Sequence, residues 1–214
     1  MERLDSALAE WALGVAKSAG ATAAEVLCGS SESLAAGVRL GEVETLKSSR
    51  DRRLGLRVFV GQSSATAATA ELERDSLKEF IADTVRLARL TASDPWSGLP
   101  DPALHPKSLP DLALADPDHS IIGADEALKL ARTAENAALK ADPRIKNSEG
   151  AQFESDRGWV LFANSQGFSG EYEGGAFSLV VQPVAQDGAK MQGSFWYTAN
   201  RRFTQLEDPE SVGL

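Results

Sequence analysis

Near the N-terminus apolar residues recur at Leu4, Leu8, Trp11, Ala12, Val15 and Ala19, the spacing of one helical face, and Gly20 ends the run. From Glu25 to Leu72 the period shifts to two. Short alternating runs predict strands at Ala24–Ser30, Ser33–Leu40, Val43–Ser49, Arg53–Val60 and Ser63–Thr69, with turns at Gly41-Glu42, Ser49–Arg52 and Gly61-Gln62. In the fourth run Leu54, Leu56, Val58 and Val60 make one apolar face, with Gly55, Arg57 and Phe59 on the other. This predicts an antiparallel meander with one face on a core. Ser76, with Glu79 three residues on, reads as a capping box, and Leu77, Phe80, Ile81, Thr84, Val85 and Ala88 form the stripe of a second helix. Two helices over one sheet face give an αβββββα unit over residues 1–93.

Residues 94–122 carry Pro95, Pro100, Pro102, Pro106, Pro110 and Pro117, a density that excludes helix and central strand and predicts an extended surface connection. Residues 123–214 then open with a helix at Ala124–Ala141, using Leu128, Ala131, Ala134 or Glu135, and Leu139, and stopped by Asp142-Pro143. A second β-rich segment follows, with strands at Ile145–Ser155, Trp159–Asn164, Gly167–Val184 and Lys190–Asn200. The third is expected to break at Gly174-Gly175, and turns are expected at Asp156–Gly158, Asn164–Gly167 and Asp187-Gly188. Asp208-Pro209-Glu210 is a strong helix start, with a capping acid, proline in the first position and a further acid near the positive helix end. Only four residues follow it, too few to hold a helix without an apolar face. The chain is therefore expected to be the front part of a longer protein, with a frayed natural tail as the alternative. The fold class is α+β, an antiparallel or mixed meander with covering helices.

Composition narrows what this fold can do. With 214 residues, 43% of them apolar, the chain can bury a sizeable core. A net charge of −9 opposes duplex nucleic acid as a ligand, because neutralising phosphates takes clustered Lys and Arg. The one basic cluster, Arg50, Arg52 and Arg53, is diluted by Asp51 and reads as a solvated hairpin tip. Cys28, the single cysteine, rules out an intrachain disulfide and is expected to be a buried free thiol in a reducing compartment. Glu2, Asp5 and Glu10 fit neither a signal nor a transit peptide, and no 18 apolar residues run together. A cytoplasmic location without membrane contact is the expectation.

The usual catalytic signatures are missing. His105 and His119 lie in the Pro-rich connection, off any helix face, where surface histidines are the simpler reading than zinc ligands. The sequence has no G-x-S-x-G, no G-x-G-x-x-G and no phosphate-binding G-x-x-x-x-G-K-[ST]. Glu42 and Glu44 share a strand face, but a solvated sheet surface accounts for them. Phe195, Trp196 and Tyr197 suit either core or interface packing, not base stacking in acidic surroundings. Neither a catalytic nor a metal-binding residue is assigned, and peptide-contacting residues are not identified.

Five ordered segments carry a resemblance. They are Ala16–Ala21 leading into Ala24-Glu25-Val26, Gly41–Glu44, Arg53–Val60, Asp94–Pro102 and Ala163–Phe168. Together they resemble the N-terminal portion of the TldD/PmbA family, known as modulators of DNA gyrase and grouped with metallopeptidases. The resemblance spans essentially the whole chain. Its Asp94-Pro95-Trp96-Ser97-Gly98-Leu99 run favours the PmbA, or TldE-like, branch. In the TldD branch an H-E-x-x-x-H metal segment follows the region represented here, and no residue of this sequence matches it. The PmbA branch generally lacks that metal site. The resemblance implies a non-catalytic N-terminal domain of a cytosolic two-subunit peptidase, forming cavity wall and subunit interface around a peptide. It implies no cofactor in this chain and zinc in a TldD-like partner subunit, with self-association as a homodimer also open. An independent protein-binding or dimerisation module without enzymatic role is the alternative reading.

Overall fold

A computed structural model describes residues 3–4, 6–117 and 122–214. The elements in chain order are α1 (Ser6–Ser18), β1 (Ala23–Arg39), β2 (Glu42–Val60), β3 (Ser63–Thr69), α2 (Arg74–Leu90), α3 (Ala124–Ala141), β4 (Ile145–Asn164), β5 (Ser169–Asp187), β6 (Lys190–Gly193), β7 (Trp196–Asn200) and α4 (Pro209–Gly213). Strands hydrogen-bond in the order β3-β2-β1-β4-β5-β6, with β7 also on β5. The pairings of β2 with β3, and of β5 with β6 and β7, are antiparallel. The class is α+β.

The strands are longer and fewer than the turn signals predict. Ser31-Glu32, Ser49–Arg52, Asp156–Gly158 and Gly174-Gly175 all lie inside continuous strands. So the five strands expected before residue 70 are three. The chain divides into two compact units, and besides a division at 112/113 in the Pro-rich connection, the divisions fall at 31/32, 50/51, 157/158 and 173/174, within or beside those same segments. Each core supplies the apolar alternation of its own stretch of strand. Where one core's pattern ends, polar and glycine residues follow, which resembles a turn in sequence although ladder hydrogen bonds hold the backbone extended.

Unit 1 comprises residues 1–31, 51–112 and 158–173. Its core joins Ala9, Ala12 and Ala16 of α1 and Leu77, Ile81 and Val85 of α2 to Val26, Cys28, Leu54, Leu56 and Trp159 on the strands. Alanines on the buried face of α1 allow close approach, and the Arg74 guanidinium caps the Trp11 ring at 4.6 Å. The second helix starts two residues before Ser76. Glu73 is its cap, its carboxylate accepting from the Asp75 and Ser76 amides, so the expected Ser76–Glu79 box does not form its start. A carboxylate at the positive helix end satisfies these amides better than a hydroxyl. Among the described residues of the Pro-rich connection, the one regular element is a 3-10 turn at Pro102–Leu104, capped by Asp101.

Unit 2 comprises residues 32–50, 113–157 and 174–214. Here Ala127, Ala131, Ala134 and Ala138 of α3 pack on Ala36, Val38, Phe153, Phe177 and Leu179. The helix bounds agree with the sequence reading, though Ala138 rather than Leu139 completes the buried stripe. Glu135 is also buried on this helix. Its carboxylate accepts from the amides of Leu40 and Gly41, both at 2.8 Å, and Arg132 Nε donates to the Gly41 carbonyl at 3.1 Å. The β1–β2 turn therefore centres on Leu40-Gly41, one residue earlier than predicted, with φ of 50° and 84°. Glycine takes the second angle without the Cβ penalty; leucine is held at the first by the latch from α3.

The short terminal helix is not unsupported. Asp208 caps α4, Val212 is buried in the unit 2 core, and Gly213 lies against α3. A Cβ on Gly213 would stand 2.3 Å from the Ala134 carbonyl and 2.9 Å from the Ala138 amide. Tertiary packing supplies the apolar contact that the local sequence lacks.

Candidate functional site

The residues singled out for chemistry do not converge. Cys28 is wholly buried, and desolvation pushes its thiol up to about 11, which makes it a poor thiolate donor or nucleophile. His105 sits against the Phe168 ring, centroids 5.0 Å apart, with Nε2 3.3 Å from the Asn164 amide nitrogen. His119 lies outside the described residues. Glu42 and Glu44 are exposed on β2. Arg50, expected at a hairpin tip, is in mid-strand and pairs with Glu32 at 3.3 Å. Among the described residues, no three His, Cys, Asp or Glu side chains group as metal ligands would. The described donors thus form no set of the kind a zinc ion needs.

Two surfaces stand out instead. The first is a groove of about 370 Å³ in unit 1, floored by Gly29, Gly55 and Gly158, with Leu27, Arg53 and Trp159 around it. Adjacent strands place one glycine each on the floor: Gly55 from β2, Gly29 from β1 and Gly158 from β4. Cβ atoms built there would meet nothing closer than 3.7 Å, so the space above the backbone is open. Bare backbone of this kind admits close approach of another chain. The Trp159 side chain itself is buried in the unit 1 core, where its indole Nε1 donates to the Glu171 carboxylate at 3.1 Å. Beside the groove, the Ser30 hydroxyl is buried without a hydrogen-bond partner. Nothing here pairs a nucleophile with a base. The groove can hold a chain, and Arg53 can meet a carboxylate.

The second surface is the edge of unit 2 where Phe195, Trp196 and Tyr197 are all more than half exposed. Of the two readings left open by the sequence, core and interface, burial excludes the core. Unit 2 also holds an acidic pair, Glu154 and Asp156, of which the sequence reading put Glu154 in a strand and Asp156 at the start of a turn. Burial, and then the charge of Glu154, raise the carboxyl of Asp156 above the ordinary range. The signal available was the i, i+2 spacing of Glu154 and Asp156, which in a continuous strand puts both on one face.

Comparison with known proteins places these surfaces in context. The family profile described as "PmbA/TldA metallopeptidase domain 1" matches residues 24–88, and "PmbA/TldA metallopeptidase central domain" matches residues 117–214. A Haemophilus influenzae protein named "Metalloprotease PmbA homolog" is 34% identical over 206 residues, covering 95% of this chain and 44% of the relative. The chain thus spans less than half the length of that relative. A crystal structure from Bacteroides thetaiotaomicron, named as a modulator of DNA gyrase, superposes with a TM-score of 0.87 at 26% identity, over 96% of this chain and 48% of its own. TldE from Thermococcus kodakarensis shares the fold, with a TM-score of 0.81 at 20% identity over 96% of this chain and 45% of its own.

Proposed function

The chain belongs to the PmbA/TldD metallopeptidase family, and on that premise we propose that it is the non-catalytic front portion of a PmbA/TldE-like subunit. The observation that carries this reading is the ordered match to domain 1 and then the central domain over 44% of a PmbA homologue's length. Hydrolysis is assigned to a zinc-bearing, TldD-like partner in the cytosol, because the Asp94–Leu99 run resembles the PmbA branch, which generally lacks the metal site. No step of the reaction is routed through this chain's side chains.

Its contribution is a wall and an interface. The glycine floor at Gly29, Gly55 and Gly158 supports a wall role, since an extended peptide can lie close to backbone that presents no side chains. Trp96, 92% exposed within the Asp94–Leu99 segment, has the character of an interface anchor. The gyrase name of the Bacteroides structure does not extend to DNA contact here, which the net charge of −9 opposes.

Co-expression with a TldD-like subunit tests the proposal. The two should co-purify, and zinc-dependent peptide hydrolysis should require the TldD-like subunit. Failure to associate across a range of concentrations would reject it. The exposed run Phe195–Tyr197 favours one other reading, an independent binding or homodimerisation module. Light scattering that shows a stable homodimer, indifferent to the TldD-like subunit, would select that reading.

A further inference from the structure

The strands of unit 1 have one covered face and one bare face. Cys28, Leu54, Leu56 and Trp159 turn into the core, so strand alternation sends Leu27, Gly29, Arg53, Gly55, Gly158 and Val160 the other way. There they line the groove of about 370 Å³. Its three glycines are not required by this chain's own packing. Gly41 and Gly150 hold φ of 84° and 114°, and a Cβ on Gly175 would stand 2.7 Å from the Asp156 carbonyl, so glycine is needed at those places. Gly29, Gly55 and Gly158 are not among the positive-φ glycines, and a Cβ on each would meet nothing closer than 4.0, 3.7 and 3.8 Å. Glycine weakens a strand interior, so three of them where side chains would fit keep space for something that is not part of this chain.

We infer that the groove is a subsite for the carboxyl end of a short, extended peptide with an apolar last residue. The inference deepens the wall role proposed above and rests on it. Charge selects the end of the peptide. Arg53 is exposed, and its Cγ lies 4.0 Å from the place a Gly29 Cβ would take, so its guanidinium stands beside the floor. A guanidinium can hold a carboxylate through two parallel N–H···O bonds. Asp51 also lines the groove, two residues along the same face of β2, and it opposes a second carboxylate there while offering an acceptor to an N–H. A carboxyl end presents a carboxylate and a backbone N–H within one residue, which matches this neighbouring pair. Size selects a short piece. Strands lie about 4.8 Å apart, so the floor from β2 over β1 to β4 is roughly 10 Å across, the reach of about three extended residues. At about 370 Å³ the groove also falls at the small end of ligand pockets, which run from about 300 to 1,000 Å³. Leu27, 50% exposed, with Val160 and Ala68 gives the last side chain an apolar bed.

Fluorescence anisotropy with the full-length gene product tests this, using a peptide Ala-Ala-Ala-Phe with fluorescein on its N-terminus. The free acid should bind about tenfold or more tightly than the C-terminal amide, since only the acid makes the charged bonds to Arg53. Arg53→Gln should bring the acid down to the level of the amide. Gly29→Leu fills the floor without a clash and should weaken the acid at least about tenfold at an unchanged urea midpoint. Equal binding of acid and amide would overturn the inference, as would an acid preference that survives Arg53→Gln or binding that Gly29→Leu leaves intact. Two further probes decide the source of the carboxylate. Ala-Ala-Glu-Phe amide, whose carboxylate is in a side chain, and N-acetylphenylalanine, which has no chain to lay on the floor, should both bind more weakly than the acid; either one matching it would refute the site as described. Acid preference in a gene product that no TldD-like subunit binds keeps this inference and sinks the broader functional proposal. Association with a TldD-like subunit without acid preference does the reverse.

Discussion

Replacing Glu135 by alanine should unlatch the turn between β1 and β2. The carboxylate makes two hydrogen bonds of 2.8 Å to the Leu40 and Gly41 amides, from a side chain 1% exposed in the middle of α3. Bonds to a charged acceptor contribute about 1.5–3 kcal/mol each, which would give roughly 3–6 kcal/mol for the pair. Two effects reduce this. Leu40 is 53% exposed, so water can reach part of the freed turn, and the variant no longer buries a carboxylate. The expected net loss is about 2–4 kcal/mol, near the cost of breaking other buried polar networks. With a urea dependence of about 2 kcal/mol per molar, the unfolding midpoint of unit 2 should fall by roughly 1–2 M. Exchange of the Leu40 and Gly41 amides should quicken on the order of a hundredfold, since each 1.4 kcal/mol is about tenfold. Glu135→Gln keeps one acceptor but turns an amide donor toward the other N–H, so it should also destabilise. If Glu135→Ala shifts stability by less than about 0.5 kcal/mol, the usual range for surface changes, and leaves both amides protected, the latch is not what holds this turn.

Three other outcomes follow from the packing and the charges. Gly213→Ala should detach α4, because the new methyl would stand 2.3 Å from a backbone carbonyl of α3 that cannot move aside; faster exchange at Val212 and Leu214 reads this, and unchanged exchange contradicts it. The Cys28 thiol, at about 11 and buried, should resist an aromatic disulfide reagent at pH 8 in the native protein and react once urea unfolds it; rapid native reaction would contradict the burial. Asp142, held down to about 2 chiefly by its hydrogen bond with the Arg144 side chain, should titrate near that value by carboxyl NMR. A lowered carboxyl favours the folded form above the unfolded value and loses that contribution as pH falls through about 2, so Arg144→Ala should move the midpoint back toward 3.8, and an unmoved midpoint would refute the assignment.

Helical periodicity was the most legible feature of the sequence. α3 occupies the span its pattern predicts, because an alanine-rich stripe bounded by Gly123 and by Asp142-Pro143 leaves little choice. Strand ends were harder. Ser49–Arg52 and Asp156–Gly158 have turn chemistry, yet pairing with neighbouring strands keeps both extended, and such pairing is a long-range property. Long range also explains the Leu40-Gly41 turn, set by a glutamate 95 residues away from Leu40, and the support of α4 by α3. The groove of unit 1 was illegible for the same reason: Gly29, Gly55 and Gly158 are ordinary isolated strand glycines until topology makes their strands neighbours. The aromatic run Phe195–Tyr197 was visible in sequence, but whether it was buried or exposed was not, because that is set by what packs against β7.

The central claim, that this chain is the non-catalytic part of a two-subunit peptidase, is tested most directly by assaying hydrolysis of an unstructured casein substrate with zinc present. The account predicts no zinc-dependent cleavage by the full-length gene product alone, and cleavage when a TldD-like subunit that binds it is added. Robust zinc-dependent cleavage by the purified product alone would contradict the account.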